Sequence, residues 1–238
     1  DYVGFSLGGA FLIMAGLLAI APSLPRVPLA EISELASALA SSLPPGVGIL
    51  AFALLAVGFL VKSGAAGVHV WLPGAYGEAD DETTPILSAL VSKAGIFGLF
   101  LFVLILAGAL GIDSAGLQAS GAASDAAAQG EGAQRAAGIF ARTAPAALLF
   151  AALRWIGALT ALFGALLAVF QEDIKKLFAY SSMSQVGYII LAFGLLTHLG
   201  WVTALYIAFL HMLFKGLLFL VTAGVIHRTG TRLMYKMG

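Results

Sequence analysis

Four side chains in this sequence join an ionisable head to an apolar setting. His211 and Lys215 lie in IAFLHMLFKGLLFLV, residues 207–221; Lys62 follows AFALLAVGFLV, and Lys93 separates LSALVS from AGIFGLFLFVLIL. A lysine at the centre of a membrane helix costs about 2.5–3.5 kcal/mol on insertion scales. A chain that keeps three of them in greasy runs either extends them to the headgroups or uses them. Burial disfavours the charged form of an amine, so a buried amine can gain and lose a proton near neutral pH as a solvated one does not. His211 and Lys215, four residues apart, share one helix face. The chemistry expected is proton carriage, with Lys62, Lys93, His211 and Lys215 as the relay.

Three further residues are accessory candidates. His69 stands in GVHVWLP, and Ser184 and Gln185 stand in EDIKKLFAYSSMSQVGY, where hydroxyls and amides at this density either glue helices together or line a hydrated path. Arg154, beside Trp155, reads as an interfacial side chain. Four histidines without cysteine and without an HExxH pattern give no metal-ligand set. No thiolate-held iron–sulfur cluster is possible without cysteine, and no cofactor is expected in the chain.

These groups need helices to hold them. The sequence is 61% hydrophobic and 10% charged, with a mean hydropathy of +1.01, where soluble domains carry about 25% charged residues. Crossing a bilayer takes about 20 mostly apolar residues. Six runs qualify: Val3 to Ala21, Gly46 to Leu72, Pro85 to Leu110, Pro145 to Phe170, Leu177 to Leu196 and Gly200 to Ile226. None shows the period-2 alternation of a membrane barrel. The fold class expected is all-α, a polytopic bundle of about six membrane-spanning helices. The second run weakens at KSGAAG, directly after Lys62, and glycine costs a helix about 1 kcal/mol relative to alanine. A break at mid-membrane is expected there, tolerated where protein or water covers the irregular backbone.

Alternation of helices puts the segments 73–84 and 171–176 and the tail from His227 on one side. That side holds Lys175, Lys176, Arg228, Arg232 and Lys236, against Arg26, Arg135 and Arg142 opposite. The positive-inside rule makes it cytoplasmic. Residues 111–144, rich in Ala, Gly, Ser and Gln, read as a flexible extramembrane insertion. Residues 25–45 suit a short interfacial helix. The whole reads as a single transmembrane domain, 1–238, and as a piece of a longer subunit. Zero net charge gives no reason to expect nucleic acid.

At these residues the sequence resembles the antiporter-like proton-translocating subunits of respiratory complex I, shared with Mrp-type cation/proton antiporters and membrane-bound hydrogenases. The motifs that carry the resemblance are VKSGAAGVHVWLPGAYGEADDETTPILSALVSKAGIFGL, FQEDIKKLFAYSSMSQVGYIILAFG, FLHMLFKGLLFLVTAGVI and the closing YKMG. The resemblance implies that Lys62 matches the lysine at the broken helix of one channel half. It implies that Lys93 matches the Lys-or-His position bridging toward the other half, and that His211 and Lys215 match the central hydrophilic axis. The family's earlier glutamate and its later lysine or glutamate have no counterpart here, so only part of a channel is expected in this chain. The family's proline within the first break is also missing from KSGAAGVHVW.

The function expected is proton translocation, with sodium coupling open, by a subunit of a complex I-like or Mrp-like assembly. Its partners would be the lipid bilayer and other membrane subunits, and its place the inner membrane of a bacterial or archaeal cell. Whether the assembly is an NADH:quinone oxidoreductase-like or hydrogenase-like enzyme is left open, since the chain has no redox site of its own. The alternatives are a secondary transporter of a small solute, with a cavity at the broken helix, and a structural scaffold whose lysines all reach the headgroups.

Overall fold

Lipid offers no partner to backbone N–H and C=O groups, so each apolar run must close its own hydrogen bonds as a helix. The computed structural model of the chain describes residues 2–24, 35, 39, 42–109 and 133–237. Helix α1 is Tyr2–Ile20, followed by one 3₁₀ turn, Ala21–Ser23. Helix α2 is Pro45–Ser63 and the short α3 is Trp71–Glu78. Helix α4 opens as Thr84–Ile86, passes through a π turn at Leu87–Val91 and continues as Ser92–Ala109. Helices α5, α6 and α7 are Ala133–Val169, Ile174–Gly194 and His198–Thr229. Among the described residues six helices are long and apolar enough to cross a membrane, and no strand occurs beyond an isolated bridge between Asp173 and Leu233. The chain is an all-helical integral membrane protein.

Local chemistry fixes the ends. Asp173 caps α6, its carboxylate accepting from the Lys175 amide at 2.9 Å, and the Thr197 hydroxyl caps α7 by accepting from the Gly200 amide at 3.0 Å. Both caps satisfy amides that the first helical turn leaves unpaired. Gly64, at φ 75°, and Gly230, at φ 68°, end α2 and α7 in the left-handed conformation that glycine adopts without strain. Helix α5 starts at Ala133, so it carries Pro145 inside it and takes in the last part of the segment 111–144; residues 111–132 of that segment lie outside the described residues. Of the expected interfacial helix, residues 25–45, residues 25–34, 36–38, 40 and 41 lie outside them as well.

With lipid as apolar as leucine, helices associate through close backbone approach. The tightest pair is α5 with α6. A Cβ on Gly187 would stand 2.2 Å from the Ala161 nitrogen, and one on Gly157 would stand 2.4 Å from the Leu191 nitrogen. The largest apolar cluster gathers Leu55, Leu99, Phe102, Phe150, Ile189 and Phe193 from α2, α4, α5 and α6. A second cluster packs Trp71, Leu72 and Tyr76 of α3 against Met183 of α6 and Phe219 of α7.

Candidate functional site

Helix α2 stops one residue after Lys62. The segment between α2 and α3 turns through Gly64 and Gly67, both at positive φ, and α3 begins at Trp71. Two hydrogen bonds tie the segment and its flanks to the protein, while His69 Nδ1 is buried with no hydrogen-bond partner among the described residues. The Ala66 amide donates to the Thr160 hydroxyl of α5 at 3.0 Å, and the Trp71 indole donates to the Val61 carbonyl at 3.0 Å. Lys62 itself runs through a slot between glycines. A Cβ on Gly95 of α4 would meet the Lys62 Cβ at 2.9 Å, and one on Gly9 of α1 would meet its Cγ at 3.4 Å. At the end of the slot Nζ donates to the Ser6 hydroxyl of α1 at 2.9 Å.

Lys93 is half-buried and donates to the Ser88 carbonyl, inside the π turn, at 2.7 Å. Lys215 is 0% exposed. Its ammonium donates to the Phe178 carbonyl at 3.0 Å and to the Ser181 hydroxyl at 2.7 Å, both on α6. The Phe178 and Phe214 rings lie 5.1 and 5.9 Å from it, within the range where a ring face attracts a cation. One turn earlier, His211 is also 0% exposed and stacks on the Phe214 ring at 5.2 Å. Neither of its ring nitrogens has a hydrogen-bond partner among the described residues.

The structure thus brings His211 and Lys215 together on the inner face of α7, sets Lys93 on the α4 segment where α7 packs against the π turn, and fits Lys62 beside Gly95, two residues further along α4. The accessory residues divide. His69 is half-buried between α2 and α3, its ring 6.4 Å from that of Tyr180. Ser184 donates to the Ala161 carbonyl at 2.9 Å and joins α6 to α5, while Gln185 is half-buried on the same helix. Ser6, Ser181 and Thr160 are site residues that sequence reasoning did not single out. Ser181 sat in a polar run that marked its helix, but a lone hydroxyl in YVGFSLGG carried no sign of its distant lysine.

The side predicted to be cytoplasmic is a connected polar network. Lys175, 3% exposed, donates to the Ala79 carbonyl at 2.9 Å and pairs with the Asp81 carboxylate. Arg232 donates to the Gly77 carbonyl and faces Asp173 at 3.9 Å. The Ile174 amide donates to the Arg232 carbonyl at 3.1 Å, and the Met234 amide to the Glu172 carbonyl at 3.0 Å. These contacts place the segments 73–84 and 171–176 and the tail on one side, as helix alternation required. Lys175 is a correction in detail: it reads as a loop charge in sequence, yet it is buried at the first turn of α6.

A family model described as "NADH:quinone oxidoreductase/Mrp antiporter, TM" matches residues 5–124 and 136–238. The chain is similar to Hydrogenase-4 component B of Escherichia coli, 32% identical over 214 residues that cover 83% of this chain and 26% of that protein. It is similar to NADH-quinone oxidoreductase subunit L of Rickettsia typhi, 32% identical over 185 residues, covering 78% of this chain and 22% of that one. The chain therefore spans about a quarter of the length of these curated relatives. Its fold is shared with a chain of the membrane-bound sulfane sulfur reductase, an archaeal respiratory membrane complex, at a TM-score of 0.74 and 22% identity, over 98% of this chain and 40% of that chain.

Proposed function

Because the chain belongs to the NADH:quinone oxidoreductase/Mrp antiporter transmembrane family, we propose that it forms part of a subunit that moves protons across the membrane through Lys62, Lys93, His211 and Lys215. The observation that carries this reading is the posture of Lys215. Its ammonium is fully buried and is held inside the bundle by Phe178 and Ser181 instead of reaching outward. An ammonium in that position costs several kcal/mol unless paired, and a scaffold would have no use for it. The stacked His211, whose two buried ring nitrogens have no hydrogen-bond partner among the described residues, supplies a second protonatable group one turn away.

In this reading the segment between α2 and α3 lies at mid-membrane and gives Lys62 access to water, while the π turn and the inner face of α7 continue the path. Partner subunits complete the channel and supply the driving force, as redox energy or a sodium gradient, and the chain acts without a cofactor of its own. We place the Lys175–Arg232 side in the cytoplasm of a bacterial or archaeal cell, in keeping with the positive-inside rule.

The test is ion flux in sealed vesicles carrying the intact complex, with and without sodium. Lys215→Met is expected to lower proton movement at least about tenfold, with the complex still assembled. Normal flux in an assembled Lys215→Met complex would overturn the relay. Proton movement that persists without sodium assigns the path to protons alone, and strict dependence on sodium assigns it to coupled exchange.

A further inference from the structure

Helix α4 does not start as a regular helix. Its first turn is α-helical, Leu87–Val91 form a π turn, and the α-helix resumes at Ser92. A π turn inserts one residue into the helix, and such turns gather at functional sites. It also shifts a carbonyl out of the regular amide ladder, where a side-chain donor can take it up. Here the Ser88 carbonyl, within the turn, receives Nζ of Lys93 at 2.7 Å. The lysine reaches back along its own helix over five residues, the spacing of the π turn itself.

Nothing in the segment LSALV forces a π turn, for it holds neither proline nor glycine. The surroundings hold it instead. Helix α7 packs on the turn, and a Cβ on Gly216, the neighbour of Lys215, would stand 3.6 Å from the Ala89 Cβ. On the other side of Lys93, Gly95 lies against the Lys62 stem. The helix carrying Lys215 thus meets α4 at the turn, and the helix carrying Lys62 meets α4 just beyond it, at Gly95.

We propose that the π turn Leu87–Val91 is a positioning device: its Ser88 main-chain carbonyl holds the Lys93 ammonium between the Lys62 slot and the helix that carries Lys215. In a regular α-helix that carbonyl would belong to the amide four residues on. In the π turn it accepts an ammonium donor at 2.7 Å, and a bond from a charged donor is stronger than one from an amide. The inference takes from the relay reading only that Lys93 acts in ion movement; the contact itself stands separately.

The test uses the full-length subunit in its assembled complex, in lipid, with ¹⁵N at the lysine Nζ and ¹³C at the serine carbonyls, read by dipolar solid-state NMR. Wild type and Leu90→Ala, which trims an outward-facing side chain, are expected to show a lysine–serine pair within about 4 Å. That pair is expected to vanish in Lys93→Arg, which removes the lysine label, and in a deletion of Leu90, which restores the α register. Ion translocation is expected to fall at least about tenfold in the deletion variant. A wild-type spectrum without a Lys93-dependent pair overturns the proposal, whether or not the deletion variant assembles. So does a deletion variant that loses the pair and translocates at the wild-type rate. Normal translocation by Lys93→Met, beside an intact pair in the wild type, supports the contact and removes Lys93 from the relay.

Discussion

The Lys215 ammonium ends 2.7 Å from the Ser181 hydroxyl, so α7 is tied near the middle of its 32 residues to the first half of α6. A hydrogen bond to a buried charge contributes about 1.5–3 kcal/mol. Ser181→Ala leaves the ammonium with the Phe178 carbonyl and the two rings. Proton flux in vesicles is expected to fall several-fold with normal assembly, and Ser181→Thr, which keeps the hydroxyl, is expected to retain most of it. Equal flux in the alanine and threonine variants would remove Ser181 from the path.

The segment between α2 and α3 depends on Thr160. Its hydroxyl accepts from the Ala66 amide at 3.0 Å and donates to the Ile156 carbonyl at 2.6 Å. Thr160→Val keeps the shape and strands the amide, a loss of about 1–3 kcal/mol. The purified complex is expected to melt at a lower temperature with valine and at the wild-type temperature with serine.

Two glycines give a sharp contrast. Gly187→Ala would drive a methyl group to 2.2 Å from the Ala161 nitrogen, whereas a Cβ on Gly224 meets nothing within 4 Å. Recovery of the subunit in the assembled complex is expected to collapse for the first variant and to match wild type for the second. Real cores accept overpacking only at a cost of about 1–3 kcal/mol or more, and here the obstacle is backbone.

Asp81 and Lys175 fasten the segment between α3 and α4 to the start of α6. Asp81→Asn leaves a nearly buried ammonium with one carbonyl. Because the Asp81 side chain is 37% exposed, water and salt weaken the pair. Limited proteolysis from the membrane side that carries Lys175 and Arg232 is expected to cut residues 79–83 faster in the variant, with the difference from wild type shrinking as salt is raised. An unchanged cutting rate at low salt would show that the Ala79 contact alone holds the segment.

Sequence and structure agree most where a residue type has a local consequence. The lysines stand out because charge in an apolar run is costly, and the glycines after Lys62 stand out because glycine weakens a helix; α2 ends at Ser63, with Gly64 and Gly67 at positive φ. The fifth run reads three residues short at its start, since Asp173 and not the first apolar residue sets the helix end. The fourth run starts at Pro145 because the residues before it are rich in Ala, Gly, Ser and Gln, yet α5 begins at Ala133 and carries that proline within it. The π turn has no local mark at all, since LSALV holds neither proline nor glycine. The partner of Lys62, Ser6, lies 56 residues away, and such a pairing is set by which helices become neighbours, a property that no window of sequence contains.

The interlocked backbones of α5 and α6 have a mechanical meaning. Where glycine lets one main chain rest against another with no side chain between, the two rods have no slack and must travel as a single strut. Lys215 hangs on that strut through Ser181. Lys62 and Lys93 lie on α2 and α4, beside the α2–α3 segment and the π turn. The close seam therefore fixes Lys215 relative to α5 as well as to α6, through Ser181.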